Sequence, residues 1–436
     1  MRKLSLLMAI AIVFLTLFCT PAFAANYEPD FEVTSGAVYL ENLDTGTIVY
    51  QKNADQQMYP ASITKMLMAI VVLEHVQDLD NETAEYPLYI QDMLYGTNAS
   101  LGGLVVGERL SIRMLLYSAL VQSANESAMI LADYVGNGSI SNFVEMMNQK
   151  AAELGCTGTH FSNPTGLHND NHYTTARDMA IIAKYAMQNE TFAEIVSTYA
   201  YDIGPTNKHE TLMQYSTNKM LIPSSVYYYS PIIGIKTGST DEAGRCVVTE
   251  AVLDGNHYLC VILGSPTTSS EQYVNFIETR QLYRWVFNHF SLVTLLNQGE
   301  LMSEVPIKYS SDGNNLQLMT QGDVIQLLND EVSASSVQYF VEAPEYVEAP
   351  IEAGDVVGVL HIKLADEEIG TVNLVASRSF SLSWFKKVVG TIGNLLSSTV
   401  AKIILVLVIL MVAGYVYLMI RHNKRKRRRR YQNRRY

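Results

Sequence analysis

Cysteine is nearly absent. Four occur in 436 residues, at positions 19, 156, 246 and 260. The first leaves with the N-terminal segment described below. Three remain, so at least one is free. Cys246 and Cys260 flank an apparent hairpin turning at Asp254-Gly255-Asn256. A two-residue turn there sets Cys260 opposite about residue 251, so the two are not predicted to pair. The remaining cysteines are read as buried free thiols. Basic charge is also scarce in the body. Two Lys or Arg lie in residues 1–24 and ten in residues 421–436, which leaves 19 against 43 Asp and Glu, a charge of about −24. That excess argues against polyanionic partners, nucleic acid included. Metal-ligand spacing is missing too: His168-Asn169-Asp170-Asn171-His172 suits no regular ligand face and reads as a polar surface loop.

Long apolar runs are confined to the two ends. Arg2 and Lys3 precede an apolar run over 4–18 and then Ala22-Phe23-Ala24, so residues 1–24 read as a secretory signal peptide. Phe18 is too bulky to precede a lipid-attached Cys19. Residues 403–420 form an uncharged 18-residue run, just long enough to span a bilayer. The tail behind it, 421–436, holds no acid. The positive-inside rule makes it cytoplasmic and sets the body on the extracytoplasmic face of the cell membrane, single-pass. Such a tail acts first as a stop-transfer and anionic-lipid anchor.

Between these ends lie two textures. Over 28–293, a hairpin (37–43 and 47–50) is followed by helical patterns at 110–120, 126–134, 140–154 and 174–188. Strand patterns follow at 232–240, 246–253 and 257–263, then a helix at 271–290. Strands at both ends of a helical middle predict an α+β domain around one antiparallel sheet. Over 300–378, short alternating strands with turns between them predict a small all-β domain. Residues 379–402, with Trp384 and Phe385 beside Lys386 and Lys387, read as an amphipathic juxtamembrane segment.

One stretch organises the rest. Pro60-Ala61-Ser62-Ile63-Thr64-Lys65 runs straight into eight apolar residues, 66–73. A helix apolar all round is a buried one. A three-residue step puts Ser62 and Lys65 on one helical face. Burial lowers a lysine pKa, and a neutral amine beside a hydroxyl activates it as a nucleophile. Ser-x-x-Lys also occurs at Ser216–Lys219 and Ser383–Lys386. Only Ser62 opens a long apolar helix. Ser216 leads a short helical run stopped by Pro223, and Ser383 sits in the juxtamembrane piece.

Two further motifs converge with it. Ser123-Ala124-Asn125 supplies a hydroxyl and an amide between helices, and Lys236-Thr237-Gly238, on a predicted strand, occurs once. The glycine would let a substrate approach the strand edge. Ser-x-x-Lys, Ser-x-Asn and Lys-Thr-Gly in this order are a signature of penicillin-binding proteins and class A β-lactamases. The chain resembles the serine-type D-alanyl-D-alanine carboxypeptidases, low-molecular-weight penicillin-binding proteins of the peptidase S11 family, over about 30–378. Asn53-Ala54-Asp55, residues 159–167 with Asn163-Pro164-Thr165-Gly166, His172 to Asp178, and Lys236 to Gly244 carry the likeness.

The resemblance implies a β-lactamase/transpeptidase-like catalytic domain. It implies attack of Ser62 on the penultimate D-alanine carbonyl of a peptidoglycan stem peptide, with Lys65 as base and Ser123 relaying a proton to the leaving amine. Asn125 would hold a substrate amide, Lys236 and Thr237 the terminal carboxylate, and the Ser62 and Ser239 N–H groups the oxyanion. β-Lactams would be inhibitors; no metal or cofactor is implied. Two departures stand out. The second motif continues with Ala124 and Glu126 where the family commonly has Gly and Asp, and the basic residue expected before the last helix is missing from 270–276. Arg245 is the candidate substitute. A β-lactamase on the same core is the nearest rival, but no Glu-x-x-Leu-Asn stretch is present to position a deacylating carboxylate. An endopeptidase on the same peptides is a variant, and a catalytically silent wall-binding protein is the alternative of another class.

Overall fold

Strands that bury both faces need apolar residues at nearly every position, and the central sheet is built from such strands. The computed structural model describes residues 28–267, 272–397 and 399–432. The predicted signal peptide, 1–24, lies outside them. β1 (Ala37–Asn42), β2 (Thr47–Lys52), β3 (Lys236–Thr240), β4 (Gly244–Leu253) and β5 (Asn256–Ser265) form one antiparallel sheet in the order β2-β1-β5-β4-β3. Ala37, Tyr39, Val248 and Val261 face one core; Val38, Leu40, Val247 and Ile262 face the other. This is the two-residue alternation of a pleated strand.

The β4–β5 turn is Asp254-Gly255, both at positive φ (51° and 80°), as a two-residue hairpin with strand-like twist requires. Asn256 already pairs with Leu253, so Cys260 stands opposite Thr249 and not residue 251. Cys156, Cys246 and Cys260 are buried free thiols, as predicted.

Helices α1 (Lys65–His75), α2 (Ile112–Leu120), α3 (Asn125–Val135), α4 (Ile140–Glu153) and α5 (Ala176–Met187) cover one face of the sheet, and α6 (Val274–His289) covers the other. Met66 to Val72 of α1 are all buried. Each large side chain there stabilises the fold by about 1.5–3 kcal/mol relative to exposure. Ser111, Ser139 and Thr175 cap α2, α4 and α5 by accepting a backbone N–H. Two predicted elements differ from expectation. The strand begins only at Lys236, with Ile232 making a single bridge to Ala251. Ser216 opens no helix; its hydroxyl accepts the Asn218 N–H in a turn.

The chain divides into two compact units. The first ends at Val293 and takes in Ile325–Ser336 and Leu364–Ile369; the second comprises Thr294–Val324, Val337–Lys363 and the chain from Gly370 onward. After α6, β6 (Phe290–Leu296) replaces the end of the predicted helix. Then come β7 (Leu301–Lys308), β8 (Asn315–Thr320), β9 (Val324–Asn329), β10 (Gln338–Glu342), β11 (Val347–Glu348), β12 (Val356–Leu364) and β13 (Glu367–Ala376). Six of these form a sheet in the order β10-β12-β13-β8-β7-β11, and β6 pairs with β9. β8 carries the alternation expected of this region, with Leu316, Leu318 and Thr320 turned inward.

Two helices follow, α7 (Trp384–Ser397) and α8 (Thr399–Gln432). Ser383 accepts the Lys386 N–H at the start of α7, while Lys386 Nζ donates to Ser310 O at 2.7 Å. The third Ser-x-x-Lys match is thus a helix start. The helix over Lys402–Lys426 is long enough to cross a bilayer, and its uncharged 18-residue run over 403–420 is the apolar part.

Candidate active site

A proline and a left-handed residue aim the start of α1. Pro60 leads into Ala61, whose φ is 49°, and a 3-10 turn over Ala61–Thr64 delivers Ser62 one turn before Lys65. Lys65 is fully buried. Its Nζ lies 3.0 Å from Ser62 Oγ, 2.8 Å from Asn125 Oδ1 and 2.7 Å from Thr165 O. Burial, then the charge of Lys236, hold its pKa well below the usual lysine value, against the opposing pull of Glu126.

Asn125 opens α3, and its N–H donates to Ser100 O at 2.9 Å. Ser123 precedes it in the left-handed region at φ 62°. Two non-glycine residues at positive φ, Ala61 and Ser123, flank one site; such backbone persists only where surrounding structure holds it. Glu126 replaces the expected aspartate and is buried. It accepts the Gly102 N–H at 2.6 Å, and desolvation raises its pKa.

β3 supplies the opposite wall. Lys236 is buried, donates to Thr237 O at 3.1 Å, and is brought down to about 7 by desolvation. Thr237 Oγ1 meets Thr217 Oγ1 at 2.6 Å. A Cβ on Gly238 would stand 2.8 Å from Ser62 N, 2.9 Å from Pro60 O and 3.0 Å from Ile63 N. The glycine therefore admits the protein's own 3-10 turn and also borders the cavity. Ser62, Ser123, Thr237, Gly238 and Ser239 line one cavity of about 360 Å³. Lys65, Asn125 and Lys236 are buried next to the lining residues Ser62, Ser123 and Thr237.

The same cavity is lined by residues that motif reading missed: Ser100, Thr217, Lys219, Tyr273 and Asn275. Lys219 Nζ stands 4.0 Å and Arg245 Cζ 3.8 Å from the Tyr273 ring centroid. β3–β4 pairing sets Arg245 opposite Ser239. Neither cation has an acidic partner among the described residues. Arg245, the candidate substitute, thus borders the cavity together with a lysine from the discounted second Ser-x-x-Lys match. Arg177 and Asp178 are braces: Arg177 Nε meets Asp55 at 2.7 Å, and Asp178 Oδ2 accepts from Gly158 N and Thr159 Oγ1. His172, expected in a surface loop, is buried.

A family profile described as D-alanyl-D-alanine carboxypeptidase matches residues 23–267, more than half of the chain. The chain belongs to the D-alanyl-D-alanine carboxypeptidase family. A second profile, the C-terminal domain of penicillin-binding protein 5, matches residues 290–381. Among relatives, the D-alanyl-D-alanine carboxypeptidase DacF of Bacillus subtilis is 27% identical over 396 residues, covering 88% of this chain and 96% of its own. The D-alanyl-D-alanine carboxypeptidase of Streptomyces sp. strain K15 is 34% identical over 59% of this chain and 89% of its own. Of solved structures, penicillin binding protein 5 from Haemophilus influenzae aligns with a TM-score of 0.65 at 26% identity, over 81% of this chain and all of its own. The Streptomyces K15 DD-transpeptidase aligns with a TM-score of 0.54 at 30% identity, over 61% of this chain and all of its own. This family member therefore pairs a peptidase S11 α+β catalytic domain with an all-β C-terminal domain.

Proposed function

We propose that this family member is a serine D-Ala-D-Ala carboxypeptidase that removes the last D-alanine from peptidoglycan stem pentapeptides through a Ser62 acyl-enzyme. One observation carries the reading: a buried amine 3.0 Å from a cavity-facing hydroxyl. A neutral amine has two N–H bonds and one lone pair. Asn125 Oδ1 and Thr165 O can only accept, so they take both N–H bonds. The lone pair is left for the Ser62 O–H.

Ser62 Oγ gives its proton to Lys65 Nζ as its bond to the penultimate carbonyl carbon forms. The oxyanion meets the Ser62 and Ser239 N–H groups, each donor contributing about 3–4 kcal/mol. The C–N bond then breaks, and the proton passes from Lys65 by way of Ser123 to the leaving D-alanine amine. Water attacks the ester, Lys65 takes its proton, and Ser62 recovers it as the Oγ–C bond breaks. Asn125 retains an N–H pair for a substrate carbonyl. The body lies outside the cell, anchored to the cytoplasmic membrane by the span in α8 with the basic tail inside. β-Lactams, which present a strained amide to Ser62, acylate it.

The carboxylate end of the substrate falls to Lys236 and Thr237, with Lys219 and Arg245 at the rim. Arg245→Ala or Lys219→Ala is expected to raise KM about tenfold with kcat nearly unchanged, the loss of one hydrogen bond to a charged group. Equal falls in kcat and kcat/KM at constant KM would remove both residues from substrate binding. A second expectation concerns pH. Lys65 must be neutral, so kcat/KM falls on the acid side as it gains a proton. Lys236 must be charged, so kcat/KM falls again as pH rises through about 7. Lys236→Arg should carry only the alkaline limb upward; an unmoved limb belongs to another group.

The decisive test is mass spectrometry of a stem pentapeptide incubated with the protein, beside labelling by a fluorescent penicillin. Loss of one D-alanine and a long-lived adduct at Ser62, absent in Ser62→Ala, is the expected result. Rapid steady-state penicillin turnover favours a β-lactamase, and equal labelling of Ser62→Ala favours a silent binding protein.

A further inference from the structure

The mechanism uses the Ser62 hydroxyl but does not explain what holds it in place. Ala61, one residue before it, sits at φ 49°, a conformation that L residues avoid unless neighbours impose it. Its carbonyl is wedged against Gly166, where a Cβ would lie 1.9 Å from Ala61 O. The same carbonyl accepts the Thr64 hydroxyl at 2.8 Å. Thr64 Oγ1 in turn lies 2.8 Å from His172 Nε2.

The direction of each bond in this chain is fixed. The Ser162 N–H donates to His172 Nδ1 at 3.0 Å, so Nδ1 is an acceptor and the ring proton is on Nε2. Nε2–H then donates to Thr64 Oγ1, whose own proton has only Ala61 O to go to. His172 is 1% exposed and packs edge-on against Phe161 at 5.4 Å. Burial first, then His160, Lys65 and His168, hold the imidazole down at about 3. It stays uncharged through the neutral range, and the bond direction does not switch.

We propose that His172 is a positioning residue for the nucleophile, acting through Thr64 on the left-handed turn at Ala61 that presents Ser62. Its hydrogen bonds go to Thr64 and Ser162, and it is not among the residues that line the cavity. Its role rests on the acyl-enzyme reading above, since a silent protein has no nucleophile to aim.

Thr64→Val tests the link directly, because it removes the hydroxyl and keeps the shape. The second-order rate of Ser62 labelling by a fluorescent penicillin, and kcat, are expected to fall about tenfold or more with KM unchanged, as a small misplacement of the attacking atom implies. Thr64→Ser should restore the rate to within about threefold, since the hydroxyl returns. His172→Gln combined with Thr64→Val should be no slower than Thr64→Val alone, because both cut one chain. His172→Ala opens a cavity, so Thr64→Val carries the test whether or not that variant folds. Wild-type labelling in Thr64→Val, a fall that Thr64→Ser shares, or a rise in KM at constant kcat each overturns the positioning role. A wild-type protein unlabelled at Ser62 overturns the acyl-enzyme reading instead.

Discussion

Lys65→Met is expected to cut Ser62 acylation by at least about a thousandfold while the protein still folds. Loss of a positioned general base alone costs about 10²–10⁴ in rate. Here the same amine must also return the proton to the leaving group, so the loss falls at the upper end. Two effects oppose each other in stability. Asn125 Oδ1 and Thr165 O lose their buried donor, at about 1–3 kcal/mol for an unsatisfied group. Against that, the desolvation that holds the Lys65 pKa down is relieved when the amine becomes a thioether of similar length. The melting temperature should therefore move little. Labelling with fluorescent penicillin, timed against wild type, is the measurement. A rate within tenfold of wild type would mean that another group takes the Ser62 proton.

The fold was largely legible because its signals are local. Two-residue alternation marks β4 and β5, and an unbroken apolar run marks α1. The Ser62–Lys65 pair was legible for the same reason, since a three-residue step on a helix fixes proximity without tertiary knowledge. Ser-x-x-Lys alone did not suffice; the helix behind it separated Ser62 from Ser216 and Ser383. What escaped was assembled by topology. Thr217 reaches Thr237 across 20 residues, and His172 reaches Thr64 across 108. No spacing rule announces either. His172 is hidden in sequence because its neighbours His168, Asn169, Asp170 and Asn171 are polar, and a polar string reads as surface. The motif around Lys219 points nowhere by itself, yet the Lys219 side chain borders the cavity, where the chain after Tyr215 turns instead of forming a helix. Gly238 reads from sequence as a close approach to the strand edge; that a Cβ there would meet Ser62 N is a tertiary fact no motif carries.

That contact makes Gly238→Ala the second large effect. The obstacle is steric. A Cβ there meets Ser62 N at 2.8 Å, Pro60 O at 2.9 Å and Ile63 N at 3.0 Å. All three are backbone atoms, so no side chain can rotate away. β3 and the 3-10 turn must part by several tenths of an ångström, and overpacking of this kind costs about 1–3 kcal/mol. The catalytic loss should exceed the stability loss, because the displaced groups are those that must converge. Ser62 sits on one side of the gap, and Thr237 and Ser239 sit on the other. A displacement approaching 1 Å between reacting groups costs about a hundredfold. Acylation is therefore expected to fall by about that factor, with a melting temperature lower by a few degrees. Gly322→Ala serves as control, since nothing lies within 4 Å of the Cβ it would gain, and both readouts should match wild type. If Gly238→Ala acylates within about threefold of wild type, the turn and β3 are free to separate, and their close packing is not what sets Ser62 against the third motif.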